Sequence, residues 1–151
     1  MSSELGQRLK ARWIAEELQP RPGVSVDDLD AFETTHGIRL PDDLRNYLRI
    51  VNGTGKYSEM DQSYHCWWSL EEWKSVEEKW PREGLIDGAN TTYLFADHSI
   101  ECPTYGIRLA ATNEANEIIA IFSDKRPFDV YVVADSFTEL MERYLRNEML
   151  H

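Results

Sequence analysis

The sequence predicts an α+β fold: a single, mostly antiparallel sheet of about five or six strands, with helices packed mainly on one face. Three observations predict it. In the N-terminal third, apolar residues recur at helical spacing as far as Val51. From Thr92 to Val133 the pattern changes to short runs of β-branched and aromatic residues joined by short links, which favours antiparallel pairing. Ser136-Phe137-Thr138-Glu139 then opens a closing helix with a capping pattern.

Over residues 4–19, Leu5, Leu9, Trp13 and Leu18 recur near helical spacing, with Ile14 beside them, and Pro20-Arg21-Pro22-Gly23 ends the helix. Ser25 is placed to cap a second helix, Asp27 and Asp28 suit its first turn, and Gly37 suits a left-handed C-cap. Leu29 and Phe32 share a face, with His36 as a further candidate. A third helix starts at Pro41, buries Leu44, Tyr47, Leu48 and Val51, and stops at Asn52-Gly53. Residues 54–63 read as a loop and Tyr64 to Trp68 as a short strand. Ser69-Leu70-Glu71-Glu72 predicts a capped helix of about ten residues carrying Trp73, Val76 and Trp80, ended by Pro81. Strands are expected at Thr92–Ala96, Tyr105–Ala111, Glu117–Ser123 and Val130–Val133, with a hairpin turn at Asn113–Asn116 and a break at Lys125–Pro127. The last helix turns Phe137, Leu140, Met141, Tyr144 and Leu145 inward.

The 151 residues fit one domain, residues 1–151, with no internal repeat or linker. A hydrophobic content of 42% supports a core. No apolar run approaches the ~20 residues that span a bilayer, and Met1 to Lys10 lack a signal-peptide pattern. A cytoplasmic protein with Cys66 and Cys102 as reduced thiols is expected. The net charge of −11 argues against nucleic acid and anionic membranes as partners. It would steer a basic protein inward, although solubility alone also explains such a charge.

No motif carries catalysis. The four histidines form no H-x-x-x-H pair, and Asp97-His98 with Glu101 reads as loop hydrogen bonding before it reads as a cation site. Cys66 adjoins His65, but neighbours in a strand face opposite ways. Gly53-Thr54-Gly55-Lys56 lacks the first glycine and the Ser/Thr of a phosphate loop, and it follows a helix. Glu71-Glu72 and Glu77-Glu78 read as solvated helix surface. No catalytic residue, metal site or cofactor is assigned.

Three segments carry a resemblance. Gly37-Ile38-Arg39-Leu40-Pro41-Asp42-Asp43-Leu44-Arg45-Asn46-Tyr47-Leu48 is followed by Val51-Asn52-Gly53; Phe95-Ala96-Asp97-His98-Ser99-Ile100 leads to Tyr105-Gly106-Ile107-Arg108-Leu109; Val133-Ala134-Asp135-Ser136-Phe137-Thr138-Glu139-Leu140 precedes Tyr144-Leu145. In this order they resemble the SUKH superfamily, which contains yeast cell-wall-assembly regulators and many bacterial immunity proteins. The likeness spans about residues 24–147 and leaves 1–23 as an N-terminal helical extension. It implies a sheet with helices on one side, no catalytic machinery, and work by binding. The leading expectation is an immunity protein that neutralises a toxin domain, possibly a nuclease; the alternative is a regulatory or scaffold domain. An enzyme or small-ligand binder ranks below both.

The same reading places the contact surface. Ten acidic residues lie between Glu59 and Glu101, opposed only by Lys74, Lys79 and Arg82, and four of the five tryptophans share the segment. Aromatic anchors inside a charged rim describe many binding hot spots. Of Trp67 and Trp68, one should face outward and stay exposed unless the helix after Ser69 covers it. The expected partner-binding residues are Glu59, Asp61, Trp67, Trp68, Glu71, Glu72, Asp97, His98 and Glu101, facing a basic toxin or effector domain. A homodimer through an open sheet edge is left as an option.

Overall fold

The computed structural model describes residues 2–55, 60–81, 86–109 and 116–151. Three helices come first: α1 (Ser2–Ala15), α2 (Val26–His36) and α3 (Asp42–Ile50). Strand β1 (His65–Trp67) leads to a 3-10 turn at Leu70–Glu72, a two-residue strand β2 (Lys74–Ser75) and a single-turn helix α4 (Val76–Lys79). Strands β3 (Thr92–His98), β4 (Thr104–Arg108), β5 (Ile118–Phe122) and β6 (Asp129–Ala134) follow, and α5 (Phe137–Leu145) closes the chain. The strands form one antiparallel sheet in the order β1-β3-β4-β5-β6, with β2 also paired to β3.

The predicted caps form. Ser25 Oγ accepts the Asp28 N–H at 3.1 Å. Gly37 adopts φ 63° and sends its N–H back to the Glu33 carbonyl, which glycine does without steric penalty. Ser136 Oγ accepts the Glu139 N–H at 3.0 Å. The starts of α3 and α5 are also tied together: Asp43 Oδ2 accepts the Thr138 N–H at 2.9 Å and the Thr138 hydroxyl at 2.7 Å.

Leu5, Leu9 and Trp13 of α1 join the same core as Leu44, Tyr47 and Leu48 of α3 and Phe137, Leu140, Met141 and Tyr144 of α5. Strands β3, β4 and β5 are buried along nearly their whole length, as central strands covered on both faces must be. A register shift between Leu94 and Ala96 makes a bulge at Phe95, whose ring meets both Trp73 and Phe137 at 6.0 Å.

The ten-residue helix after Ser69 does not form. The Ser69/Glu72 capping box exists, but it starts only the 3-10 turn. Trp73 is extended at φ −65°, ψ 143°, and Lys74 and Ser75 pair with Leu94 and Tyr93. Strand β1 covers only Ala96 to His98 on that edge of β3, so the rest of the edge has open hydrogen-bonding groups that β2 satisfies. A second capping box, Ser75/Glu78, then opens α4. The hairpin turn expected at Asn113–Asn116 falls largely on residues 113–115, outside the described residues.

Candidate functional site

The acidic, aromatic segment is not one surface. Trp67 and Trp68 are each only 1% exposed, which corrects the expectation of an outward ring. Their side chains do diverge, but both sides are covered. The Trp67 ring lies 4.8 Å from Tyr144 and 6.2 Å from Trp13, while Trp68 Nε1 donates to Asp97 Oδ2 at 2.8 Å. Asp61 and Asp97 are likewise buried and hold indoles instead of facing a partner: Trp67 Nε1 donates to Asp61 Oδ2 at 3.3 Å. Glu101 is half-buried and paired with Lys79 at 2.7 Å. Half-buried His98 lies among the rings of Tyr64, His65 and His151. Glu59 is outside the described residues. Glu71 remains exposed and Glu72 half-buried, with Glu72 Oε1 accepting the Ser69 N–H at 2.9 Å.

Asp61 is the centre of an internal network. Its carboxylate accepts the His65 N–H at 2.8 Å, the Ser63 N–H at 2.9 Å and the Ser63 hydroxyl at 2.8 Å. It also accepts the Tyr144 phenol, which in turn accepts the Trp13 indole N–H at 2.9 Å. Beside it, the rings of His65 and His98 lie 4.7 Å apart and those of His98 and His151 4.9 Å apart. His65 Nδ1 lies 2.8 Å from Ser63 Oγ, and its buried Nε2 has no hydrogen-bond partner. Burial pushes His65 down to about 4, against the opposing pull of Asp61, and lowers His151 as well. Burial raises the Tyr105 and Tyr144 phenols. His65 is the buried member of this row, His98 is half-buried and His151 is exposed. Among the described residues no set of three or more His, Cys, Asp or Glu is placed to hold a metal ion. Cys66 pairs across from Asp97, and burial pushes its thiol up to about 12, so it is not a thiolate near neutral pH.

The exposed Glu71 belongs to a groove that the sequence reading missed. About 670 Å³ in volume, the groove runs between α2 and the start of the 3-10 turn; Asp28, Phe32, His36, Asn52, Leu70 and Glu71 are on its walls. Its floor is a strap in which Pro22 bridges Val51, Arg21 N–H donates to Gly53 O at 2.9 Å and Val24 N–H donates to Leu48 O at 2.8 Å. Gly23 is required there, because a Cβ would lie 1.9 Å from the Arg49 carbonyl oxygen. Asn52 fixes the far wall: Oδ1 accepts the Leu70 N–H at 2.7 Å, and Nδ2 donates to Glu71 Oε1 at 2.8 Å. Asn52-Gly53 signals a helix stop locally. Its second role depends on residues 18 and 19 positions away, which no local pattern shows. On the other side of α2, Asp30 and Glu33 are already paired with Arg45, at 2.9 and 3.1 Å. The charged residues at the groove are the carboxylates Asp28 and Glu71 and the guanidinium of Arg21.

A family model described as the SMI1 / KNR4 family (SUKH-1) matches residues 23–143, most of the chain. The chain belongs to this family. The SUKH-1 match begins at Gly23 in the groove floor, contains every strand of the described residues, and ends in α5, so both walls of the groove lie inside it and α1 lies before it. A search of curated proteins found no match. Of the three segments, 37–48 runs from the α2 C-cap into α3 and 95–109 is the bulged β3 with β4, both inside the SUKH-1 match; 133–145 joins β6 to α5 and runs two residues past its end at 143.

Proposed function

We propose that this SUKH-1 protein works by binding, as an immunity protein that neutralises a basic toxin domain by direct contact through the α2–Glu71 groove. The observation that carries the proposal is the exposed Glu71 carboxylate, held in place by buried Asn52 beside Phe32 and across from Asp28. A preorganised carboxylate beside apolar walls suits a lysine or arginine side chain, whose stem lies on Phe32 and Leu70 while its head meets the acids. The net charge of −11 steers such a partner. Resemblance to immunity members of the family supports the toxin as partner.

The titratable groups favour binding over catalysis. His65 is neutral and enclosed, Cys66 is protonated, and Asp61 and Asp97 are engaged by indoles. Action in the cytoplasm fits two cysteines without a disulfide, and no helix of the described residues is long and apolar enough to cross a membrane.

The test is co-expression with a toxin whose basic effector domain is encoded beside this protein, followed by purification of the pair. Growth rescue and a stoichiometric complex that Glu71→Lys weakens are the expected results. Complex formation without rescue would instead indicate a regulatory domain, and no complex at all would remove the reading.

A further inference from the structure

Strand β6 is the outer strand of the sheet, and the opposite edge of β3 is covered by β1 and β2. Asp129-Val130-Tyr131-Val132-Val133-Ala134 contains no lysine or proline, the residues that commonly blunt an open edge. Its central residues Tyr131 and Val132 are 54% and 53% exposed. Beside them lies an apolar depression of about 480 Å³ lined by Phe122, Val133 and Leu150.

We propose that β6 pairs antiparallel with β6 of a second copy, making one continuous sheet through both chains. A two-fold axis normal to the sheet keeps both helix layers on the same side. It requires one residue to face itself across the axis, and the exposed pair at the middle of the strand makes that residue Tyr131 or Val132. Either register brings the exposed Val and Tyr side chains together at the centre, where cross-strand apolar and aromatic pairs stabilise sheets.

Charge selects a second copy over a basic partner. Exposed Lys125 and Arg126 precede β6, and exposed Asp135 and Glu139 follow it. In both registers the Lys125–Arg126 loop of one copy approaches Asp135 and Glu139 of the other, once at each end. Lys125 also reaches Asp129 of its own chain at 3.3 Å. Arg143, paired with Glu148 at 3.6 Å, donates to the Val133 carbonyl and, at 2.8 Å, to the Met149 carbonyl, so the pairing is centred on Tyr131 and Val132 and leaves the Val133 carbonyl to Arg143. The groove on α2 holds two carboxylates, Asp28 and Glu71, against the single cation Arg21, and has no open strand edge.

Sedimentation velocity on the full chain over a wide concentration range tests the proposal. A reversible dimer is expected, and Tyr131→Lys and Val132→Lys should each give a monomer whose thermal unfolding no longer depends on concentration and matches that of the dilute, monomeric wild type. Arg126→Glu and Asp135→Arg should each weaken the dimer roughly tenfold, from two symmetric exposed charge contacts, and the double variant should recover most of it. A monomer at every concentration overturns the proposal, as does a dimer that survives both lysine variants. Glu71→Lys should leave the dimer intact, which separates this interface from the toxin-binding groove.

Discussion

The phenol of Tyr144 donates to Asp61 Oδ2 across 83 positions of sequence, joining α5 to the loop before β1. The same oxygen of Tyr144 receives the Trp13 indole, so three distant parts of the chain meet at one buried carboxylate. Tyr144→Phe keeps the ring and removes both hydrogen bonds. A loss of about 1–3 kcal/mol is expected, because a buried donor and a buried acceptor lose a partner. Urea unfolding of the two proteins measures it, and an unchanged midpoint would show that the network adds nothing.

The histidine row makes stability depend on pH. His65 sits at about 4 in the fold, whereas an unfolded histidine titrates near ~6.5, so the unfolded chain binds the extra proton between these values. Stability should therefore be complete above about pH 6.5 and fall as pH drops toward 4, by at most about 1.4 kcal/mol per pH unit for this group. His151, also lowered, acts in the same direction, and the nearby Asp61 opposes it for His65. His65→Gln should flatten this limb in unfolding curves recorded from pH 7 to pH 4; an unaltered slope would place the dependence elsewhere.

Two glycines separate crowding from backbone conformation. Gly37→Ala adds a Cβ with nothing within 4 Å, so only the φ of 63° resists it, at a cost of about 1 kcal/mol. Gly23→Ala must move the strap away from the Arg49 carbonyl and should cost more, with weaker partner binding because the groove floor shifts. Thermal melts of both variants give the order, and equal losses would mean that the strap yields freely.

Charge reversal at the groove acts on encounter. Glu71→Lys should slow association with a basic partner and reduce its salt dependence. Asn52→Asp should weaken the same binding while leaving Glu71 in the sequence, because it replaces the donor held 2.8 Å from Glu71 with a like charge. Stopped-flow binding at low salt distinguishes the two; identical rates for Glu71→Lys and wild type would discard the surface.

Much of the fold was legible because it depends on short-range chemistry. Ser25, Gly37 and Ser136 act within one helical turn of their own positions, and each cap forms as read. The apolar stripes of α3 and α5 report a helical period, and the continuous β-branched and aromatic runs of β3 to β5 report buried strands; both signals are local too. The Ser69 capping box was also read correctly, yet the helix beyond it fails, since pairing with the free edge of β3 outweighs continued helix at Trp73 to Ser75.

The candidate surface was harder to read because acidic residues are exposed by default, and nothing next to Asp61 or Asp97 marks them as exceptions. Asp97 finds its indole 29 positions away at Trp68, and Asp61 is closed off by Tyr144. The chain's own residues determined the helix caps, the strand period, the family and the negative charge, because each is written in neighbouring residues. Only the tertiary structure decided which carboxylates stay in water, because burial is a property of what folds over a residue and not of the residue itself.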